Sequence, residues 1–193
     1  MSERIRSLVQ QIHTLEEELH AVLHEQEGKA LYEIEGRRVR FEGFVREAHK
    51  RLKTDLLPWF RASSLRNALS APFIYGIVFP ILLYDLSLTI FQAICFRLYR
   101  IERVERSKYI LIDRHQLGYL NIIERLHCAY CGYANGVISY GREITARTEQ
   151  YWCPIKHARK VLGTHRRYAY FLDYGVAEGY QEKLEQYRRR LRG

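Results

Sequence analysis

The stretch 71–96, APFIYGIVFPILLYDLSLTIFQAICF, holds a single ionisable side chain other than tyrosine and cysteine, Asp85. A segment this apolar belongs either in the centre of a protein core or in a bilayer. As a straight helix it would reach about 39 Å, more than the roughly 30 Å of hydrocarbon, and its aliphatic and aromatic residues outweigh the roughly 3 kcal/mol that one central acid costs. Arg51, Lys53, Arg61 and Arg66 precede it, and Arg97, Arg100, Arg103 and Arg106 follow. Positive flanks on both sides set no orientation. With Pro80 inside the run, they suit a re-entrant helical hairpin whose two ends face the cytoplasm. A single span is the alternative, and contiguous core helices of a soluble protein are a third reading. Asp85 would stand at membrane depth, where an acid is costly unless it is paired or useful, or it could cap a helix after a break near Tyr84.

A chain of 193 residues, 47% hydrophobic, has room for a small domain beside such a segment. Its +9 formal charge, from 31 Lys and Arg against 22 Asp and Glu, calls for an anionic neighbour, phospholipid or nucleic acid. The first residues, MSERIRSLVQQIHTLEEELH, are charged and lack the apolar stretch of a signal peptide.

Ile5, Leu8, Ile12, Leu15, Leu19 and Val22 alternate spacings of three and four, the seam of a short coiled coil. Val176, Tyr180, Leu184, Tyr187 and Leu191 recur at helical spacing near the other end, so the seam could be covered by that helix or by a second copy of the chain. Between residues 31 and 41, Tyr32, Ile34, Val39 and Phe41 alternate with charges around Glu35-Gly36, as in a small hairpin. A helix is expected from Glu42 to Leu57, ending before Pro58, with Trp59, Phe60 and Arg61 as an interfacial anchor. The division is then 1–57 for the N-terminal helix, hairpin and second helix, 58–100 for the membrane-associated segment, 101–170 for a metal module, and 171–193 for a basic C-terminal helix.

The metal module rests on CAYCGY, residues 128–133, and WCPIKH, residues 152–157. Cys128 and Cys131 make C-x-x-C, and Cys153 and His157 make C-x-x-x-H, a donor set suited to one tetrahedral ion. Gly132 would supply the permissive turn of the first knuckle, and Pro154 would stiffen the second. His115, His127 or His165 could replace His157, and Cys128 with Cys131 could instead be a redox dithiol. Three of the four cysteines cluster at ligand spacing and Cys95 stands alone in the apolar run, which argues against a disulfide framework and for a reducing compartment. Three thiolates and an imidazole would close the site around zinc as a structural ion.

CAYCGY resembles the first metal loop of rubredoxins and zinc ribbons, and WCPIKH is similar to their second, except that His157 stands one place beyond the expected cysteine. The histidine favours zinc over iron. The intervening segment, with Ile138, Ile144 and a Glu143/Arg147 pair at helical spacing, looks more helical than the strands of those folds. Over residues 71–160 the chain resembles a family of bacterial proteins, without an assigned activity, that combine an apolar segment, an RSKYILIDRHQLGYLN-like linker and this double knuckle. The resemblance implies a bacterial, membrane-associated protein and supplies no reaction.

Glu17/His20 and Glu124/His127 have the E-x-x-H spacing of di-iron bundles but lack the bridging carboxylates. Lys156, Arg159, Lys160, Arg166 and Arg167 form a basic run suited to a head-group-facing surface, which next to the apolar run is preferred to nucleic acid. There is no phosphate-binding glycine loop or nucleophile elbow, so the reading leans away from an enzyme. The expectation is a mainly α protein at the cytoplasmic face of a bacterial inner membrane, holding zinc in a knuckle and serving as a scaffold for a protein partner. The alternatives are a membrane-tethered redox protein with iron or a working dithiol, and a nucleic-acid-binding zinc protein.

Overall fold

The computed structural model of the chain describes residues 3–27, 32–35, 38–53, 55, 58 and 64–192. It is mainly helical, 69% helix against 3% strand, so the fold class read from periodicity holds at that level. The order is α1 (Glu3–Glu27), β1 (Tyr32–Glu35), β2 (Arg38–Phe41), α2 (Gly43–Leu52), α3 (Leu65–Gly76), α4 (Val78–Phe91), a π turn (Gln92–Phe96), α5 (Ile122–Trp152) and α6 (Tyr180–Arg189), with short 3₁₀ turns at Arg106–Lys108, Arg114–Gln116 and Arg166–Tyr170. The strands pair antiparallel as the alternation requires, Tyr32 opposite Phe41 and Ile34 opposite Val39. The second helix ends at Leu52, short of the expected Leu57, because Lys53 turns extended. The aromatic anchor at Trp59 and Phe60, with Arg61, lies outside the described residues.

Residues 65–96 form one continuous helical rod, long and apolar enough to cross a membrane. The chain does not reverse at Pro80, so the expected re-entrant hairpin is not formed. A proline clashes with the carbonyl four residues earlier. That residue is Gly76, where α3 ends, and Ile77 alone joins it to α4 in right-handed helical geometry. Pro80 thus falls in the first turn of α4, where a missing N–H leaves no intrahelical bond unmade. Tyr130 on α5 donates to the Ile74 carbonyl beside this joint at 2.8 Å.

The rod closes on Arg100, a non-glycine residue at φ 56°. The Ile101 N–H reaches back to the Phe96 carbonyl at 2.8 Å, the long bond of a Schellman ending. The 97–121 connection then runs alongside α5, the 31-residue helix that organises the rest. Asn121 starts α5 with a complete capping box: its side chain accepts from Ile123 and Glu124, and Glu124 accepts from the Asn121 N–H at 2.9 Å. Two glycines of α5 let the connection cross closely. A Cβ on Gly136 would lie 2.7 Å from the Tyr109 carbonyl oxygen, and one on Gly132 would lie 3.1 Å from that of Leu111.

The core gathers Leu88 and Phe96 from the rod, Ile101 and Val104 from the connection, Tyr140 and Ile144 from α5, and Leu191 after α6. The C-terminal helix therefore spends its apolar residues on α5 and this core, with Gln150 donating to the Tyr187 carbonyl and Arg188 to that of Tyr151. It does not cover the α1 seam: Leu8, Ile12, Leu15, Leu19 and Val22 are all half exposed or more.

Candidate functional site

The residues proposed as metal ligands are not brought together. CAYCGY is not a loop: Cys128 and Cys131 stand one turn apart inside α5, whereas Cys153 caps its C-terminus. The helix between them sets Cys153 about 33 Å from Cys131 and about 38 Å from Cys128 along its axis, at 1.5 Å per residue. His157 lies beyond, its ring stacked on Tyr168 with centroids 6.1 Å apart. No group of three or more His, Cys, Asp or Glu side chains converges among the described residues. One ion cannot reach donors spread along a helix of this length, so this arrangement does not fit a tetrahedral zinc or iron within one chain. Gly132, read from the sequence as the knuckle's turn residue, instead admits the backbone of Leu111. Of the alternative ligands, His165 is engaged with Glu149, and the E-x-x-H acid Glu124 is used by the capping box.

Cys131 and His127, four residues apart on one face of α5, line a groove of about 810 Å³ between α3 and α5. The other walls are mostly apolar, among them Leu65, Ile74, Ile123 and Leu126. The groove opens beside the exposed residues of the rod.

Asp85 is buried, and its partners come from segments distant in the sequence. Arg106 grips the carboxylate with both arms, Nε to Oδ1 at 3.1 Å and an Nη to Oδ2 at 2.6 Å, and Tyr133 donates to Oδ2 at 2.9 Å. Seven residues on, two turns along the same face, Gln92 behaves like a strand partner. Its Oε1 accepts from the Val104 N–H at 3.0 Å, its Nε2 donates to the Val104 carbonyl at 3.4 Å, and Nε2 also donates to the Tyr140 hydroxyl. The rod's buried face therefore carries its polar residues, Asp85 and Gln92, beside Leu88 and Phe96. Its outer face carries Phe73, Phe79, Leu83, Leu86, Ile90 and Ile94, half to four-fifths exposed.

The second polar cluster lies on the C-terminal half of α5. Glu143 Oε1 accepts from Arg147 at 2.9 Å and from Arg167 at 2.8 Å, and Arg167 also reaches Gln150 at 2.9 Å. Burial alone would push the Glu143 carboxyl up, but these two guanidiniums outweigh it and hold the group below the ordinary glutamate range. His165 accepts the Tyr168 N–H at Nδ1 and meets Glu149 through Nε2 at 2.8 Å, which fixes the neutral ring as the Nε2–H tautomer. A cleft of about 610 Å³ opens over this cluster, lined also by Tyr109, Ser139 and Arg142. Its carboxylate is locked ionised between cations, and no nucleophile is paired with a base among the described residues. The cluster is an ionic frame that fixes the 3₁₀ turn at Arg166–Tyr170 onto α5.

The expected basic surface is largely neutralised. Lys156 pairs with Asp173 at 2.8 Å, Arg166 with Glu16 of α1 at 3.0 Å, and Arg167 with Glu143. Lys156 holds the Asp173 carboxyl below its usual value. Arg159 and Lys160 are exposed.

The chain matches no family model, no curated protein and no solved structure in these comparisons.

Proposed function

We propose that this protein is a membrane-associated scaffold, held on the bilayer by the outer face of the 65–96 rod and presenting its polar modules to partners. The observation that carries the reading is the inverted polarity of that rod. A helix packed on a soluble core turns its apolar stripe inward and its polar residues to water. Here Asp85 and Gln92 are inside, and large apolar side chains are outside. That much contiguous apolar surface is unusual on a soluble monomer and marks a contact with lipid or protein.

Insertion by one face accounts for the geometry better than a full span. A span would carry the neighbouring 109–121 connection to membrane depth, where irregular backbone is tolerated only when it is shielded by protein. Leu111 and Ile112 on that connection are exposed. A span would also place the half-exposed Arg106 guanidinium, at the level of Asp85, in hydrocarbon. With the rod lying along the interface, its outer side chains enter the acyl region while Asp85, Arg106 and α5 stay on the water side. The bacterial inner membrane, with the modules on its cytoplasmic face, is the location that the resemblance of the sequence favours. The open seam of α1 supplies the scaffold's protein contact, a coiled coil with a second copy.

Flotation of the purified chain with phosphatidylcholine vesicles tests the reading. The wild type is expected to float, and Phe73→Ser/Phe79→Ser is expected to remain in the dense fraction with unchanged circular dichroism. Light scattering of the floating species, after transfer to detergent, is expected to give a dimer. A wild-type chain that is monodisperse without detergent and ignores vesicles would end the membrane reading.

A further inference from the structure

The rod and α5 stop beside each other, and three aromatic side chains meet there. The Tyr99 N–H closes the last turn of the rod on the Cys95 carbonyl at 2.9 Å before Arg100 turns the chain away. Trp152 is the last helical residue of α5. Tyr99 and Trp152 pack edge to face with centroids 4.7 Å apart, and both touch Tyr151, at 5.3 and 4.4 Å. Tyr151 belongs to the inside: it packs against the core, and the Arg188 guanidinium stands 4.9 Å from the centre of its ring. Tyr99 and Trp152 form the outer layer, 38% and 41% exposed.

Exposed rings are ordinary where they stand singly. These two are the margin of a larger surface. Ile90, Ile94 and Leu98 follow one another at spacings of four along the rod's outer face, all half exposed or more, and Tyr99 comes next in the chain. Arg97 and Arg100, both exposed, flank Leu98 and Tyr99. Aliphatic, then aromatic, then cationic is the order of side chains met on passing from the acyl chains of a bilayer to its head groups. Aliphatic groups belong in hydrocarbon, an indole or phenol joins an apolar body to a wet tip, and a guanidinium on a long stem reaches phosphate. A contact with another protein imposes no such order. Trp152 comes from α5, the helix that insertion by one face leaves on the water side, so the aromatic pair stands at the boundary between the two.

We propose that Tyr99 and Trp152 are the interfacial edge of the membrane contact, seated at the level of the head groups and glycerol esters, and that they set how the rod is rolled about its axis on the bilayer. The apolar stripe holds the rod at the surface but resists rolling weakly, because Phe79, Leu83, Leu86, Ile90 and Ile94 all project from one cylinder. Trp152 is mounted on the second helix. Rolling one way drives its indole N–H into hydrocarbon, and rolling the other way lifts the ring into water. The proposal rests on the membrane reading above and adds to it the depth of one named side chain.

The test uses the full chain carrying Trp59→Phe, which leaves Trp152 as the one tryptophan of two. Its fluorescence is followed with phosphatidylcholine vesicles brominated on the acyl chain either near the carbonyl end or near the methyl end. Emission is expected to shift to the blue on adding vesicles, and bromine near the carbonyl end is expected to quench it more strongly than bromine near the methyl end. Stronger quenching from the methyl end would place the ring deep among the chains and overturn the interfacial edge. A chain that floats on the vesicles while Trp152 is neither shifted nor quenched would also overturn it, and would leave the membrane reading standing. A chain that neither floats nor shifts would remove that reading and the edge together. A blue shift that grows with protein concentration in the absence of lipid would make the surface a contact between copies. In a second measurement Trp152→Ser is expected to weaken vesicle partitioning about tenfold, the worth of one large apolar side chain, and Trp152→Tyr, which restores an amphipathic ring, to recover most of it. Denaturant melts of the two variants without lipid show whether each is folded. Undiminished partitioning of folded Trp152→Ser would overturn the proposal.

Discussion

The two ends of the 65–96 rod have opposite surroundings, and the second is the more apolar. No described residue of α3, at its start, is buried. α4 and the π turn, at its end, bury Asp85, Leu88, Gln92 and Phe96. What orients the second end is the placement of two polar side chains. Asp85 and Gln92 lie seven residues apart on one face, and each finds partners only by turning inward, Asp85 to Arg106 and Tyr133, Gln92 to Val104 and Tyr140. Those hydrogen bonds orient the rod and leave its aliphatic residues outward, so the polar groups determine which face is the core.

The largest test of this contrast replaces one phenylalanine from each end. Phe96 is fully buried among Phe91, Ile101 and the other core residues, and Phe96→Ala is expected to cost about 3–5 kcal/mol. Phe73 is 80% exposed. Phe73→Ala is expected to change thermal stability by less than about 0.5 kcal/mol, yet to weaken vesicle partitioning by about 2 kcal/mol, the worth of burying one large apolar side chain. Denaturant melts and vesicle titrations of the two variants read both quantities. Equal loss of stability at the two sites would mean that α3 is packed against protein.

A smaller effect is expected where the connection crosses α5. Gly136→Ala would bring a methyl to 2.7 Å from the Tyr109 carbonyl oxygen and 2.9 Å from the Ile110 Cα, both rigid backbone atoms. The connection or the helix would have to shift, at a cost of about 1–3 kcal/mol in a denaturant melt. A helix-favouring substitution that destabilises separates this glycine from an ordinary exposed one, where alanine would stabilise. A neutral or stabilising outcome would mean that the 109–111 backbone does not lie against α5.

Local patterns in the sequence were reliable where the structure is local. The α1 helix, the pairing of Tyr32 with Phe41 and Ile34 with Val39, and the Glu143–Arg147 pair at one helical turn all follow from spacing of two, three or four residues. The cysteine motif does not form a knuckle because C-x-x-C is also a one-turn helical spacing, and the helical backbone of α5 carries Cys128 and Cys131 away from Cys153. The corrective signal was present: Gly132, Gly136 and Gly141 recur every four or five residues on a helical stretch, as packing against a close neighbour demands. Gly141 faces the Tyr84 ring of the rod in this way. In the sequence Asp85 needs a partner and Arg106 reads as a flanking charge for lipid, because a separation of 21 residues hides a contact that only the return of the chain creates.

The smallest expected effect is electrostatic and lies in the polar half of α5, away from the lipid-facing rod. Arg147 and Arg167 hold the Glu143 carboxyl below its ordinary range despite burial. A carboxylate depressed in the folded state binds fewer protons there than in the unfolded chain, so its contribution is complete at pH values above the unfolded glutamate range. It fades as pH falls through that range and is gone below the folded value. Glu143→Gln keeps the shape and removes the titration. It is expected to cost about 1 kcal/mol at neutral pH and nothing at the acid end, where both proteins carry an uncharged side chain. The two melting curves against pH should therefore converge from neutral downward. Because the rod owes nothing to this group, the variant's flotation on phosphatidylcholine should match the wild type at neutral pH. Parallel curves, or a gap that widens in acid, would show that Glu143 is held by shape and not by its two arginines, and the polar end of α5 would then follow the same packing rule as the glycines at its other end.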